Sequence, residues 1–241
     1  REPRFQNGDA LPPAWHWLYF HDFVKTGDLG PDGHPRLGIV MPPVPLPRRM
    51  WAGGSLFFHA PLRLGEMVER VTTIRAITPK TGRSGQLYFV DVKHELRSQG
   101  QLGLTETQTI VYRELAGDAP AEAPPAPADA EYGQQYQFDS ATLFRYSALT
   151  FNSHRIHYDA GYCREVEGYP NLVIHGPLLA TLLLDLYVEQ GQPLRQFRYR
   201  ARSPLFLPDP FAVQGIATPS GARLWASSHQ GRLAMEAEIE P

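Results

Sequence analysis

Hydrophobic and polar positions alternate in two similar successions, one on each side of a stretch with little to bury. In the first succession the alternation has the two-residue period of a strand over residues 55–60, 67–77, 86–97 and 104–113. Turn sequences separate these runs, at residues 64–66 (LGE), 79–85 (PKTGRSG) and 98–101 (SQGQ). In the second succession a short strand is expected near residues 136–138. A helix capped by Asp139 or Ser140 should follow and run through Ala148. Residues 176–189 are apolar almost all round, which predicts a buried helix. Strands are expected again over residues 194–202, 211–218, 223–228 and 232–239.

The two successions echo each other. Ala60-Pro61-Leu62 ahead of Gly65-Glu66 corresponds to Ser203-Pro204-Leu205 ahead of Pro208-Asp209, and each half carries a glycine in its final hairpin turn, Gly100 and Gly231. The first half lacks a helix to match residues 176–189. Residues 41–49 (MPPVPLPRR) hold four prolines in its place, which rules out a helix or a central strand there. Between the halves, residues 116–130 read AGDAPAEAPPAPADA, a Pro/Ala/acidic stretch typical of a linker. The expectation is an α+β chain with an N-terminal unit over 1–115, a linker over 116–133 and a C-terminal unit over 134–241. Antiparallel sheet should wrap a complete central helix only in the second unit.

Composition narrows the function. Hydrophobic residues make up 42% of the 241, and 23 basic against 25 acidic side chains give a net charge of -2. No long basic run is present, which argues against nucleic acid or a membrane surface as a partner. The longest apolar stretch, residues 172–188, is interrupted by His175, Gly176, Pro177 and Asp185 and is too short to span a bilayer. The single cysteine, Cys163, leaves no internal disulfide and no multi-cysteine zinc site. With no apolar core in residues 1–10, a cytoplasmic location is expected.

Chemistry concentrates in one segment. Residues 150–159 read TFNSHRIHYD and pack Asn152, His154, Arg155, His157 and Asp159 between two apolar elements. Val173-Ile174-His175-Gly176-Pro177 follows at the mouth of the buried helix. Hydration of an enoyl thioester needs a base for water, a proton for the α-carbon and fixed donors for the thioester oxygen. A neutral histidine, His157, can be the base. The first backbone N–H of the helix, at Gly176, can meet the oxygen, because a glycine lets the substrate close to the backbone. The His-x-x-His-x-Asp spacing fits no structural zinc pattern, so no metal is expected.

These motifs resemble the R-specific enoyl-CoA hydratases and MaoC-like dehydratases, which carry Gly-Asp-x-Asn-Pro-x-His-x-Asp and a later His-Gly pair. The resemblance implies a hotdog fold and a catalytic dyad that ends in His157. Three positions depart from it: Asn152 stands where the family has Asp, His154 where it has Asn, and Arg155 where it has Pro. Longer motifs resemble the 3-methylfumaryl-CoA (mesaconyl-CoA) and itaconyl-CoA hydratases more closely. They are WHWLYF at 15–20, DGHP at 32–35, PPVPLPRRMWAGG at 42–54, GRSG at 82–85 and LTFNSHRIHYD at 149–159. That group implies a double hotdog with a degenerate first unit. It also implies hydration of a short branched dicarboxylic enoyl-CoA to citramalyl-CoA, with CoA carried on the substrate and no separate cofactor. The Asn152 and Arg155 departures also resemble the mitochondrial type 2 hydroxyacyl-thioester dehydratases.

Roles follow for the departing residues. Asn152 cannot take a proton but can orient water through its amide. Arg155, a permanent cation, either pairs with a substrate carboxylate or forms a salt bridge with Asp159 or Glu165. His154 is expected in the pocket wall and His175 near the helix start. Arg49 and Trp51, with Arg48, are candidates for gripping CoA, or else part of a loop covering the missing helix. Two other functions share the fold: a (3R)-hydroxyacyl-thioester dehydratase of fatty-acid metabolism, and an acyl-CoA thioesterase, which the lack of an acid at Asn152 disfavours. A homodimer is the candidate assembly.

Overall fold

Strands from both halves join a single sheet in the computed structural model, which describes residues 4–82, 85–114 and 123–241. Arg83 and Ser84 of the expected turn, and residues 116–122 of the expected linker, lie outside the described residues. The first half supplies β1 (Arg48–Phe58), β2 (Val68–Gly82), β3 (Gly85–Ser98) and β4 (Gln101–Arg113). The second supplies β5 (Tyr132–Tyr136), β6 (Gln196–Ala201), β7 (Phe211–Thr218), β8 (Gly221–Ser228) and β9 (Leu233–Glu240). The strand order is β2-β3-β4-β1-β6-β9-β8-β7-β5. Outward from the β1–β6 seam it runs 4, 3, 2 on one side and 9, 8, 7 on the other, so the second half repeats the strand order of the first. This is the double hotdog architecture, and all its strand pairs are antiparallel.

Among the described residues the α-helices lie in the second half, and the first half has only the short 3-10 turns Trp15–Leu18 and Thr26–Asp28. α1 (Ser140–Leu149) is capped by Asp139, whose Oδ1 accepts from the Thr142 N–H at 2.8 Å. α2 (Ala160–Tyr162) is capped by Asp159, which accepts from the Tyr162 N–H at 2.9 Å, and it continues into a π-turn over Cys163–Glu167. α3 (Gly176–Val188) buries Leu179, Leu183, Leu184, Leu186 and Tyr187 in the core beneath β6–β9. Each such leucine contributes about 1.5–3 kcal/mol by leaving water. No such helix occurs among the described residues of the first half. Met41, Val44 and Leu46 from the proline-rich segment cover Val90, Val92, Ile110 and Tyr112 there.

Several boundaries differ from the sequence reading, and three of them bear on how the sheet is built. β1 starts at Arg48, not at residue 55. Gly53 and Gly54 look like strand breakers, yet they lie where neighbouring chain crowds the backbone. A Cβ at Gly53 would stand 2.7 Å from Tyr199 O, and one at Gly54 2.2 Å from Thr107 O. β2 runs through Pro79, because β2 is an edge strand and needs no N–H there. The strand expected near 136–138 is β5, which ends at Tyr136 and pairs with β7.

Candidate active site

The loop after α1, the start of α3 and the DGHP loop of the first half bring four histidines together, His154, His157, His175 and His34. His157 ends a short turn, Arg155–His157, and is buried. Its Nδ1 lies 2.7 Å from Val173 O. A carbonyl only accepts, so Nδ1 carries the proton and Nε2 holds the lone pair in the neutral ring. Nε2 has no protein partner among the described residues. Burial pushes the His157 pKa down to about 4, and the Val173 hydrogen bond opposes that only in part.

His175, just before α3, is fully buried and stacks on His157 with centroids 3.6 Å apart. Its Nε2 lies 2.8 Å from Ser147 Oγ on α1. His154 meets His157 edge to face at 5.6 Å and His34 at 4.3 Å. Burial first, then the charges of neighbouring groups, hold the pKa values of His154 and His175 far below the ordinary range, so both rings are neutral.

The DGHP loop is welded to this segment. Asp32 O accepts from the Arg155 N–H at 2.8 Å, and Ser153 Oγ donates to Gly33 O. Gly33 has φ +88°, and a Cβ there would lie 2.0 Å from Ser153 O, so only glycine fits. The Asp32 carboxylate accepts from the His34 N–H at 3.1 Å and faces His34 Nδ1 at 3.2 Å. Burial alone would raise the Asp32 pKa, but the His34 bonds outweigh it and the group stays ionised. Asp32, His34 and His154 each bring one ligand atom within 4.8 Å of the others, a spacing that could hold a metal ion. Two facts weigh against a cation there. The Asp32 oxygens are taken by His34, and the charge of Arg49 bears on all three groups. Sequence reasoning saw DGHP only as a shared motif; its approach to 153–155 is a long-range contact that no local pattern carries.

The remaining residues fall into two groups. Asn152 stands in the site, half-buried, and its Oδ1 accepts from the His154 N–H at 3.0 Å. Its amide oxygen is therefore partly committed, and its Nδ2 is the group left for water. Gly176 opens α3, where the helix supplies no acceptor for its N–H. Arg155 is not the free cation that the carboxylate reading required. Its Nε and Nη2 both bond Asp159 Oδ2, at 3.0 and 2.5 Å, and its side chain is 41% exposed. Trp51 is not free to stack on adenine. It packs on Tyr199 at 4.5 Å, meets Trp17 edge-on and closes against Gly176. Arg48 is paired with Glu167 at 2.6 Å, whereas Arg49 has no partner among the described residues. A cleft of about 370 Å³ near Leu11, His16, Phe58 and Leu62 shares no residue with this cluster.

Residues 14–207 match the family model of hydroxyacyl-thioester dehydratase type 2. The chain belongs to that family. It is a hydro-lyase of the hydratase/dehydratase kind. It is 44% identical over 235 residues to a mesaconyl-C(4)-CoA hydratase of Chloroflexus aurantiacus, covering 95% of this chain and 83% of that one. It is 30% identical to the mitochondrial hydroxyacyl-thioester dehydratase type 2 of Schizosaccharomyces pombe, over 85% of this chain and 77% of the other. Among solved structures, HtdX of Mycobacterium tuberculosis superposes with a TM-score of 0.64 at 17% identity, covering 80% of this chain and 76% of that one. A MaoC-like dehydratase of Phytophthora capsici gives 0.66 at 15%, covering 85% and 76%. These two likenesses concern the fold.

Proposed function

We propose that the protein adds water to the double bond of a short dicarboxylic enoyl-CoA such as 3-methylfumaryl-CoA or itaconyl-CoA, giving citramalyl-CoA. The observation that carries the mechanism is the His157 Nδ1 bond to Val173 O, which leaves Nε2 as the basic atom. In this reading Nε2 takes a proton from water as the water oxygen bonds the β-carbon. With 3-methylfumaryl-CoA, whose double bond is conjugated with the thioester, the π-electrons move toward the thioester carbonyl and its oxygen gains charge. Itaconyl-CoA, whose double bond is not conjugated, would first have to shift it into conjugation. The Gly176 N–H at the positive end of α3 donates to that oxygen. The proton held on His157 Nε2 then passes to the α-carbon, the thioester carbonyl reforms and the ring returns to neutral. A site that depresses the pKa of His157 favours rapid return of the borrowed proton. Asn152 holds the water through its free amide N–H. His175 and Ser147 keep the His157 ring from tilting.

The substrate class is supported by the 44% relative, whose name specifies mesaconyl-C(4)-CoA. It is tested by incubating the purified protein with 3-methylfumaryl-CoA, itaconyl-CoA and crotonyl-CoA and separating the products. Citramalyl-CoA from either dicarboxylic thioester is the expected result. Hydration of crotonyl-CoA alone would favour the fatty-acid dehydratase, and release of free thiol would favour a thioesterase.

A further inference from the structure

Two donors beside the histidine cluster lack an acceptor. Arg49 on β1 stands directly opposite Tyr112 on β4. Opposed residues of an antiparallel pair project from the same face, so the guanidinium and the phenol rise side by side. Trp51, two positions on, shares that face and reaches Gly176 at the start of α3. The face reaches the site at Trp51, and around Tyr112 it is also covered by Met41, Val44 and Leu46. Tyr112 is 1% exposed, and its Oη is buried without a partner. A buried hydroxyl left so is costly, at about 1–3 kcal/mol.

The guanidinium of Arg49, on a half-buried side chain, is also without a protein partner. Of the arginines around the cluster, Arg48 is neutralised by Glu167 and Arg155 by Asp159. Arg49 has no ion pair or hydrogen bond among the described residues. Its charge opposes protonation of His34 and His154 and favours ionised Asp32. Asp32 does not pair with it, since the Asp32 oxygens are held by His34. A fixed cation and a buried O–H thus converge beside Asp32, on the His34–His154 side of the cluster, with no protein group to accept from them.

We propose that Arg49 and Tyr112 form the subsite for the free carboxylate on the substrate β-carbon. The guanidinium balances its charge and the Tyr112 O–H donates to one of its oxygens. The proposal rests on the hydratase reading above and names the group that would read the acyl chain. A CoA phosphate offers similar anionic oxygens, and the measurement separates the two sources.

The test is calorimetric binding of succinyl-CoA and butyryl-CoA, saturated thioesters that differ by a carboxylate in place of a methyl. Neither requires turnover. Wild-type protein should prefer succinyl-CoA. Arg49→Met should cut that preference about ten- to a hundredfold, and Tyr112→Phe about two- to tenfold. Circular dichroism confirms the fold of both variants. Weakened binding of both ligands with the preference intact would assign Arg49 to a CoA phosphate and overturn the subsite. So would wild-type protein with no preference, or Arg49→Met with none of it lost. A wild-type preference without hydration of any dicarboxylic thioester would reject the proposed substrate and leave the subsite standing.

Discussion

The rings of His34 and His154 lie 4.3 Å apart although they come from opposite halves of the chain. The first half has no central helix among its described residues, yet its DGHP loop is bonded to the second half through Asp32 O and Gly33 O. The loop closes one wall of the histidine cluster and carries the only carboxylate bonded to one of those rings among the described residues.

Replacing His157 tests the base directly. His157→Ala removes Nε2 and leaves Val173 O and the His175 face uncovered. A drop in kcat of about 10²–10⁴ is expected, with the far-UV spectrum retained. Activity within a few-fold of wild type would reject the assignment.

The pH profile should carry the mark of the same residue. Its pKa is lowered from 6.5 to about 4, so the folded protein holds His157 neutral well below the ordinary histidine range. The acid limb of kcat/KM is expected close to pH 4, and a limb near 6.5 would point to another base. Stability runs in parallel. Between 6.5 and about 4 the unfolded chain binds a proton that folded His157 refuses, so stability falls as pH drops through that window. Denaturant melts at pH 7 and pH 5 measure that loss, and His157→Gln should reduce it.

Glu106 provides a control at the other end of the first half. It is 2% exposed and bonds His16 Nε2 at 3.0 Å and the Trp17 Nε1–H at 2.8 Å. Burial alone would raise its pKa, but the His16 charge and hydrogen bond bring it down to about 2. That stabilisation is present above about 4.5 and lost as pH falls toward 2. Glu106→Ala leaves buried partners unpaired and should cost about 3–5 kcal/mol, a fall in Tm of roughly 6–20 °C. An unchanged Tm would show that the pair contributes nothing net.

Gly176 combines a steric and a chemical demand. A Cβ there would stand 2.8 Å from Trp51 Cε3, and Trp51 is already stacked on Tyr199. Gly176→Ala should destabilise by about 1–3 kcal/mol and displace the start of α3. A fall in kcat/KM of more than tenfold is expected, partly recovered by adding Trp51→Leu. Wild-type kinetics in Gly176→Ala would remove the N–H from the mechanism.

The sequence and the structure part company in an instructive way. The second half was legible because its signals are local: Asp139 and Asp159 as caps, the all-apolar run of α3, and the dense His154–His157 cluster. The Arg155–Asp159 pair was visible too, as an i, i+4 spacing, and it competes with the carboxylate role that the chemistry suggested for Arg155. The first half was opaque in the places where it touches the site. Prolines and glycines announce irregular backbone but not its destination. Neither the early start of β1 nor the approach of Trp51 to Gly176 leaves a periodic trace.

The DGHP loop yields the last prediction. In the folded protein Asp32 is ionised and accepts, so its contact with His34 Nδ1 fixes the proton on that nitrogen and leaves Nε2 as the acceptor. Asp32→Asn keeps the size of the side chain and an oxygen for the His34 N–H. Its amide N–H₂ can face Nδ1 only if Nδ1 gives up its proton, which moves the proton to Nε2. The ring beside His154 then changes from acceptor to donor, and the negative charge that offsets Arg49 is lost. A carboxylate that sets a tautomer is worth far more to catalysis than to folding. The expected result is a fall in kcat of at least tenfold with Tm lowered by only a few degrees. The ¹⁵N shifts of the His34 ring should report the exchanged proton. Unchanged ring shifts and unchanged kcat in a folded Asp32→Asn protein would reduce the Asp32–His34 contact to a loop tether.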